Sequence, residues 1–518
     1  TVARQNYIQA ELYPGRTMRR KRTRSTHQSG EKQDIGLVDD MLPPYQPLGE
    51  SGVHQIVDAA LELLRDTGVG FEPLAETMEI FSAGGCQVSP EGVIRFPSEL
   101  VRDAIQSTAR SARLWNRPGT EYITLDRNHT WFLAGMTAIK VYDEQTGEPR
   151  TSNREDLVKI TQLVDALPNI DGTSVTCKIV EQSNIHGEIE EFVVLAEHTS
   201  KPLEFLCEYA ESLGVVIEIA ETIRGGRDAL IEKPFFSHVV TPLPLYYAAT
   251  HIDQIIRATE YGIPLILGTV TIGGASAPIT IAGCLVHALA TDLAGLVLSH
   301  LVRPGSFCML GSDVSFMEAA TGGVGGVSQA HLGDLAICQI MRSLDLPSAT
   351  GIAGGSSARR FDEDAVWEIS CNMMQSFYAR PATCDYLGLL DEGLTYSLHA
   401  LAFCDEQVGL IRQLFRGIRV DDEMLARDLT REMGARGNYL AHTHTASHCR
   451  EEFWNARYYG AKFPVASGTL ADEPLFDRIE RDIAALLQKH QPEKISSDIL
   501  RQIRAIQARF KADDTGEE

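Results

Sequence analysis

The sequence is short of the features that mark several large classes of protein. Its ten cysteines form no CxxC pair and are scattered from 86 to 449, so neither a disulfide framework nor a zinc ribbon is expected. They read as reduced thiols of a cytoplasmic protein, several of them lying in strand- or helix-like runs as small hydrophobes do. There is no run of 18 uninterrupted apolar residues. The nearest, 279–303, is broken by His287, Thr291, Asp292 and His300, so no membrane span is expected. No apolar stretch at the start suggests a secretory signal. Basic residues are in deficit, 47 Lys and Arg against 70 Asp and Glu, for a formal charge of −23. That balance argues against a nucleic-acid partner. Also missing are a GxGxxG after a first strand, a phosphate-binding P-loop and a Ser-His-Asp order.

The composition that remains is that of a soluble globular protein, 44% hydrophobic. Residues 1–34 hold eight Lys and Arg against three acids and few apolar residues, which predicts a basic tail, disordered or laid as an arm on a neighbouring subunit. From 35 to 150 helical periodicity alternates with hairpin-like runs, an extension preceding the main domain. From 151 to 400 strand-like and helix-like runs alternate. The strands are expected at 171–178, 203–207, 235–241, 264–270, 307–311, 348–352 and 383–387. Seven such runs separated by helices call for right-handed parallel βαβ units. One further strand, from 120–142 or beyond 387, would close a (β/α)8 TIM-type barrel. Residues 401–518 read as amphipathic helices, a carboxyl-terminal layer suited to packing or oligomer contact.

A barrel places its ligand site at the carboxyl ends of the strands. Those positions include Lys178, Glu208, Thr241 to Pro244, Thr269 to Gly274, Ser312, Asp313, residues 351–357 and Asp385 to Leu387. The glycine-rich loop with Gly273, Gly274 and Ser276 opens either to tight packing or to a bulky ligand. Tyr246, Tyr247, Tyr386, Phe316, Trp131 and Trp454 are candidates for an aromatic cage around a quaternary ammonium. Asp313 and Glu318 are an acid pair that would balance a cation, with solvated loop residues as the other reading. His442, His444 and His448 have metal-ligand spacing, although capping of the following helix explains them as well.

Four blocks resemble one family: GTVTIGGASAPITIAGCLVHALATDLAGLVLSHLVRPG, LPSATGIAGGSSARRFDEDAVWE, DEQVGLIRQLFRGIRVDDEMLARDLTREMGARGNYLAHTHT and HCREEFW. They are similar to the trimethylamine methyltransferase superfamily, in its non-pyrrolysine, glycine betaine methyltransferase-like branch. The resemblance runs from about 45 to 470. It implies a methyltransferase that moves a methyl group from a small methylated amine, such as a betaine, to the cobalt of a corrinoid (cobalamin) on a cognate corrinoid protein. It also implies a homo-oligomer, with no membrane partner and no tightly bound metal of its own. Tertiary-amine demethylation, zinc-assisted transfer and non-catalytic amine binding are the alternatives. Where many members carry an acid and a lysine, this chain has Ser357 and Arg359. Arg359 is a candidate partner for a betaine carboxylate, with a surface salt bridge as the other reading. The substrate candidates are therefore Glu208, Tyr246, Asp313, Phe316, Gly354, Gly355, Arg359, Tyr386 and His444. Those facing the corrinoid are Gly273, Gly274, Ser276 and Ser312.

Overall fold

A computed structural model describes residues 30–31, 44–143, 146–318, 320, 322–325, 327–351, 354–452, 454, 456–458 and 474–515. The basic tail expected over 1–34 lies outside the described residues except for its last strand, Gly30–Glu31. Eight parallel strands form the core. They are β1 (Trp131–Ala134), β2 (Gly172–Thr173), β3 (Leu203–Leu206) and β4 (Phe236–Val240), then β5 (Leu265–Leu267), β6 (Cys308–Leu310), β7 (Ala349–Thr350) and β8 (Thr383–Leu387). Each pairs with its neighbours in chain order, β8 returns to β1, and a parallel bridge from Leu310 to Ser348 joins β6 to β7. The sheet is thus a closed barrel. All seven strands expected after residue 151 are present, and the eighth comes from the TWFLAG run. The barrel therefore opens at Trp131, ahead of residue 151.

A helix follows each strand: α1 (Arg154–Ala166), α2 (Ile185–His198), α3 (Ala210–Arg224), α4 (Ala249–Glu260), α5 (Ile281–Val302), α6 (Val327–Ser343), α7 (Glu363–Ala379) and α8 (Leu398–Phe415). Side chains of Asn153, Asn184, Thr280, Asp362 and Ser397 cap five of these helices by accepting from backbone N–H groups of the first turn. Helix α5 is the one described helix long and apolar enough to cross a membrane. It is buried instead, between the sheet on one side and the upstream helices Glu50–Glu62 and Ser98–Ser107 on the other. Covered on both sides, it needs no polar face.

The barrel interior has its own core. Trp131 and Leu133 of β1, Val239, Ile266, Met309 and Ala349 meet there with Leu114, Ile123 and Leu125. The last three come from a hairpin, Ala112–Trp115 with Glu121–Leu125, that plugs the amino end. With that end of the barrel interior filled, the strands' inward side chains border open space at the carboxyl end. Helices Leu475–Lys489 and Ser497–Thr515 pack over α8 and α3 respectively.

Candidate functional site

Two cavities sit one above the other in the carboxyl mouth and share Met136, Val270, Asp313, Gly351 and Tyr386 as walls. The outer one holds about 350 Å³ and the inner about 70 Å³. The inner floor is acidic because of strand alternation. In β3, Leu203 and Phe205 face the helices and join the outer core, so Glu204 between them points into the barrel. In β8, Cys384 faces outward and Asp385 inward. The pairing of β8 with β1 then slips between Cys384 and Leu387, and Tyr386 adopts a left-handed φ of 67°. This irregularity swings the tyrosine ring across the mouth, as bulges beside ligand sites do. A Cβ on Gly351 would lie 2.1 Å from that ring, so a glycine there is what admits it.

The carboxylates of this cup have few partners. Asp313 accepts from Tyr386 Oη at 2.7 Å. Glu204 is 1% exposed, and its Oε2 has no hydrogen-bond partner; the same holds for Oδ1 of Asp385. Burial pushes the Glu204 carboxyl up to about 8. Burial, then the nearby Glu204 and Asp313, push Asp385 well above the usual carboxylate range. Asp313 is raised by burial against the Tyr386 bond that favours its charge. Asp334 of α6 is raised by burial and by Asp313, and its Oδ1 accepts from Val314 N at 2.8 Å. Higher in the wall, Glu368 is held below the usual range by Ser356 and Ser357. Both hydroxyls donate to it, at 2.6 and 2.7 Å. Among the described residues lining either cavity there is no Lys or Arg; His331 is the one basic side chain, and burial lowers its affinity for a proton. An unpaired buried carboxylate is costly, so this cup is suited to a cation that completes it.

The sequence-based candidates divide. Asp313, Gly355 and Tyr386 line the outer cavity. The described part of the 351–357 loop also reaches it, through Gly351, Gly355, Ser356 and Ser357, while residues 352–353 lie outside the described residues. Gly354 is buried behind the wall, where a Cβ would meet the Leu387 backbone at 2.4 Å. Glu208 is exposed and outside both cavities, as is Glu318. Tyr246 joins the small upstream sheet beside Gly70, and Phe316 packs on Gly273, whose Cβ would come within 2.6 Å of the ring. Tyr247 stacks on Phe71 at 4.6 Å and Trp131 lies in the barrel core. The aromatic cage therefore does not assemble; Tyr386 alone of that set borders the cavity. Arg359 is 88% exposed and lies 3.7 Å from Asp391, so the surface-salt-bridge reading fits it. Gly273, Gly274, Ser276 and Ser312 line neither cavity. Gly274 needs its φ of +88° for the turn, Ser276 Oγ accepts from Ile272 N, and Ser312 Oγ bonds Thr269 N and Asp292. His444 lies against His448, ring centroids 4.5 Å apart and tilted by 55°, beside Glu423 and away from the mouth. No group of three or more His, Cys, Asp or Glu side chains among the described residues is placed to hold a metal ion.

Glu204 and Asp334 are absent from the sequence-based set. Their signal was an acid within an apolar run, PLEFLC and HLGDLAIC, where a charge has no structural reason to be.

The family model described as "Trimethylamine methyltransferase (MTTB)" matches residues 15–514. The chain is 27% identical over 464 residues to "Trimethylamine methyltransferase MttB" of Desulfitobacterium hafniense, covering 88% of this chain and 92% of the relative. It is 24% identical to "Glycine betaine methyltransferase" of the same species, covering 80% and 87%. A crystal structure of the Methanosarcina barkeri monomethylamine methyltransferase aligns over 90% of this chain and 94% of that one, at 14% identity and a TM-score of 0.45.

Proposed function

The chain belongs to the trimethylamine methyltransferase family, and from that premise we propose that its barrel mouth binds a methylated, cationic amine for methyl transfer to a corrinoid on a separate protein. The observation that carries the reading is the cup of Glu204, Asp313 and Asp385 in a cavity whose described lining has no Lys or Arg. A quaternary ammonium brings the charge that the cup lacks, and its methyl groups fit the apolar wall made by Met136, Val239 and Ile266.

The chemistry asks little acid–base work of the enzyme. In a quaternary amine the N–CH3 bond is activated by the positive charge, because the amine departs neutral, so no general base is required. When bound, the corrinoid would supply the nucleophile that takes the methyl group. The chain's own residues bind, orient and exclude water. Glu204 and Asp385 attract the cation to the floor, and the Tyr386–Asp313 pair closes the side. Exposed apolar side chains on five of the loops that follow the strands, Ile139, Leu243, Val270, Ile279, Val324 and Leu394, ring the mouth. They fit a docked protein that covers the cavity and keeps water from it.

The glycine betaine relative supports a betaine as one substrate. Its carboxylate would face the open mouth, away from the acids, since Arg359 does not border the cavity. A reduced cobalamin assay tests the reading. Protein supplied with choline, glycine betaine, carnitine, tetramethylammonium and trimethylamine should methylate cob(I)alamin with at least one of them, seen by absorbance. No turnover and no thermal shift across that panel would overturn it. We also read the protein as cytoplasmic, in keeping with its ten free cysteines.

A further inference from the structure

At the opposite end of the barrel a further cavity, about 470 Å³, carries the reverse charge. Its walls come from the plugging hairpin's turn, the end of α3, the residues leading into β4 and the start of helix Ser497–Thr515. Arg117, Arg224, Lys233 and Lys494 line it, against Glu232 as the one acid. In a chain of formal charge −23 such a cluster is a local excess of positive charge, offset at a distance by Glu493 and Asp165 acting on Arg117.

The cations are held by groups that leave their charge intact. Arg117 Nε donates to the Thr199 carbonyl at 3.0 Å and another of its N–H groups to the Glu493 carbonyl. Arg224 Nη2 donates to the Asn116 carbonyl at 3.1 Å, while its Nε is buried with no hydrogen-bond partner. Lys233 Nζ donates to the Gly119 carbonyl at 3.3 Å and lies 4.4 Å from the Trp115 ring. No carboxylate among the described residues lies within ion-pair distance of any of the four. Burial, and then Arg117, lower Arg224 to about 10, the direction that crowded like charges impose. The turn is built around this arrangement. Gly119 has φ +73°, and a Cβ there would sit 2.4 Å from Arg224 Nη1, so glycine lets the chain close over the guanidinium.

We propose that this cavity binds a phosphate-bearing anion, with Arg224, Lys233 and Lys494 as its ligands and Arg117 as a buried charge behind them. Guanidinium and ammonium donors around a concave site of this size suit a phosphate group. The occupant would bridge hairpin, α3 and the last helix, and so tie the carboxyl-terminal layer to the barrel. The site is separate from the catalytic mouth, and its test does not depend on methyl transfer.

The full chain, titrated calorimetrically with inorganic phosphate and inorganic pyrophosphate at matched ionic strength, should bind pyrophosphate at one site per chain and gain thermal stability. Arg224→Gln and Lys494→Gln should each weaken binding about tenfold, in line with loss of one charged partner. Lys494 is exposed, so its variant tests the site even if Arg224→Gln fails to fold. Absence of heat with both anions, or equal affinity in wild type and Lys494→Gln, overturns the proposal. So does a short single-stranded oligonucleotide that binds more tightly than pyrophosphate, since that would identify a nucleic-acid surface.

Discussion

The two ends of this barrel solve opposite electrostatic problems with different parts. At the carboxyl end the charges are acidic and sit on strands, fixed by period-two alternation in β3 and by the irregularity in β8. At the amino end they are basic and sit on a turn, a helix end and the segment leading into the last helix. Strand-borne groups are held rigidly and are desolvated, and the shift of Glu204 to about 8 reflects it. The helix-end and turn groups lean on backbone carbonyls, with Arg117 buried, Arg224 half-buried and Lys494 exposed. Each end gathers an excess of one sign of charge, but in the proposed reading only the first holds it in the precise geometry that a reaction demands.

Removing the floor acids should separate the ends most strongly. The double variant Glu204→Gln with Asp385→Asn should weaken binding of a methylated cation about 100-fold or more, since each lost buried charge is expected to cost about 1–3 kcal/mol. Its melting temperature should hold at neutral pH, where burial keeps the acids protonated, and exceed that of the wild type above about pH 8, where the native carboxyls would ionise without partners. A fall in both affinity and stability would show that the acids serve the fold.

pH provides the next contrast. In the empty protein Glu204 keeps its proton up to about pH 8, and a bound cation favours its ionised form. Binding must then expel a proton at lower pH, so affinity should rise by up to about tenfold per unit and level off above that value. Stability of the empty protein runs the other way. A carboxyl raised in the folded state adds stability that is complete below its unfolded value of 4.5 and fades as pH rises through about 8. Calorimetry in two buffers of different ionisation heat, alongside thermal melts, checks both signs.

Smaller effects sharpen the boundary of the site. Tyr386→Phe removes one hydrogen bond to Asp313 and should weaken cation binding by about three- to tenfold, near 1 kcal/mol. Arg359→Gln and His444→Ala should change affinity less than about twofold, as surface substitutions do. A large loss in either would return it to the site.

The fold was legible because its signals repeat. Seven apolar strand runs and their helices alternate after 151, and the eighth strand could be narrowed to two regions. The site was less legible for a physical reason. Strand ends can be counted from sequence, which found Asp313 and Tyr386, but side-chain direction depends on register. Glu208 stands at the end of its strand and faces solvent, while Glu204, four residues earlier, points inside. The aromatic candidates share a composition suited to a cage but lie on elements that never converge. The glycines of 273–274 prove to serve Phe316 and Ile279, a packing need that looks identical to ligand clearance when only the sequence is in view. Arg359 fell on the outward side of its loop, where no periodicity exists to orient it.

In the proposed reading charge, more than shape, selects the ligand of the barrel mouth. Calorimetric titration with choline and with 3,3-dimethylbutan-1-ol, its neutral carbon analogue of nearly the same size, tests this directly. If the acid cup recognises the cation, choline binds at least about 30-fold more tightly, a difference near 2 kcal/mol, and the gap collapses in Glu204→Gln with Asp385→Asn. Equal affinities for the two compounds in the wild-type protein would contradict it.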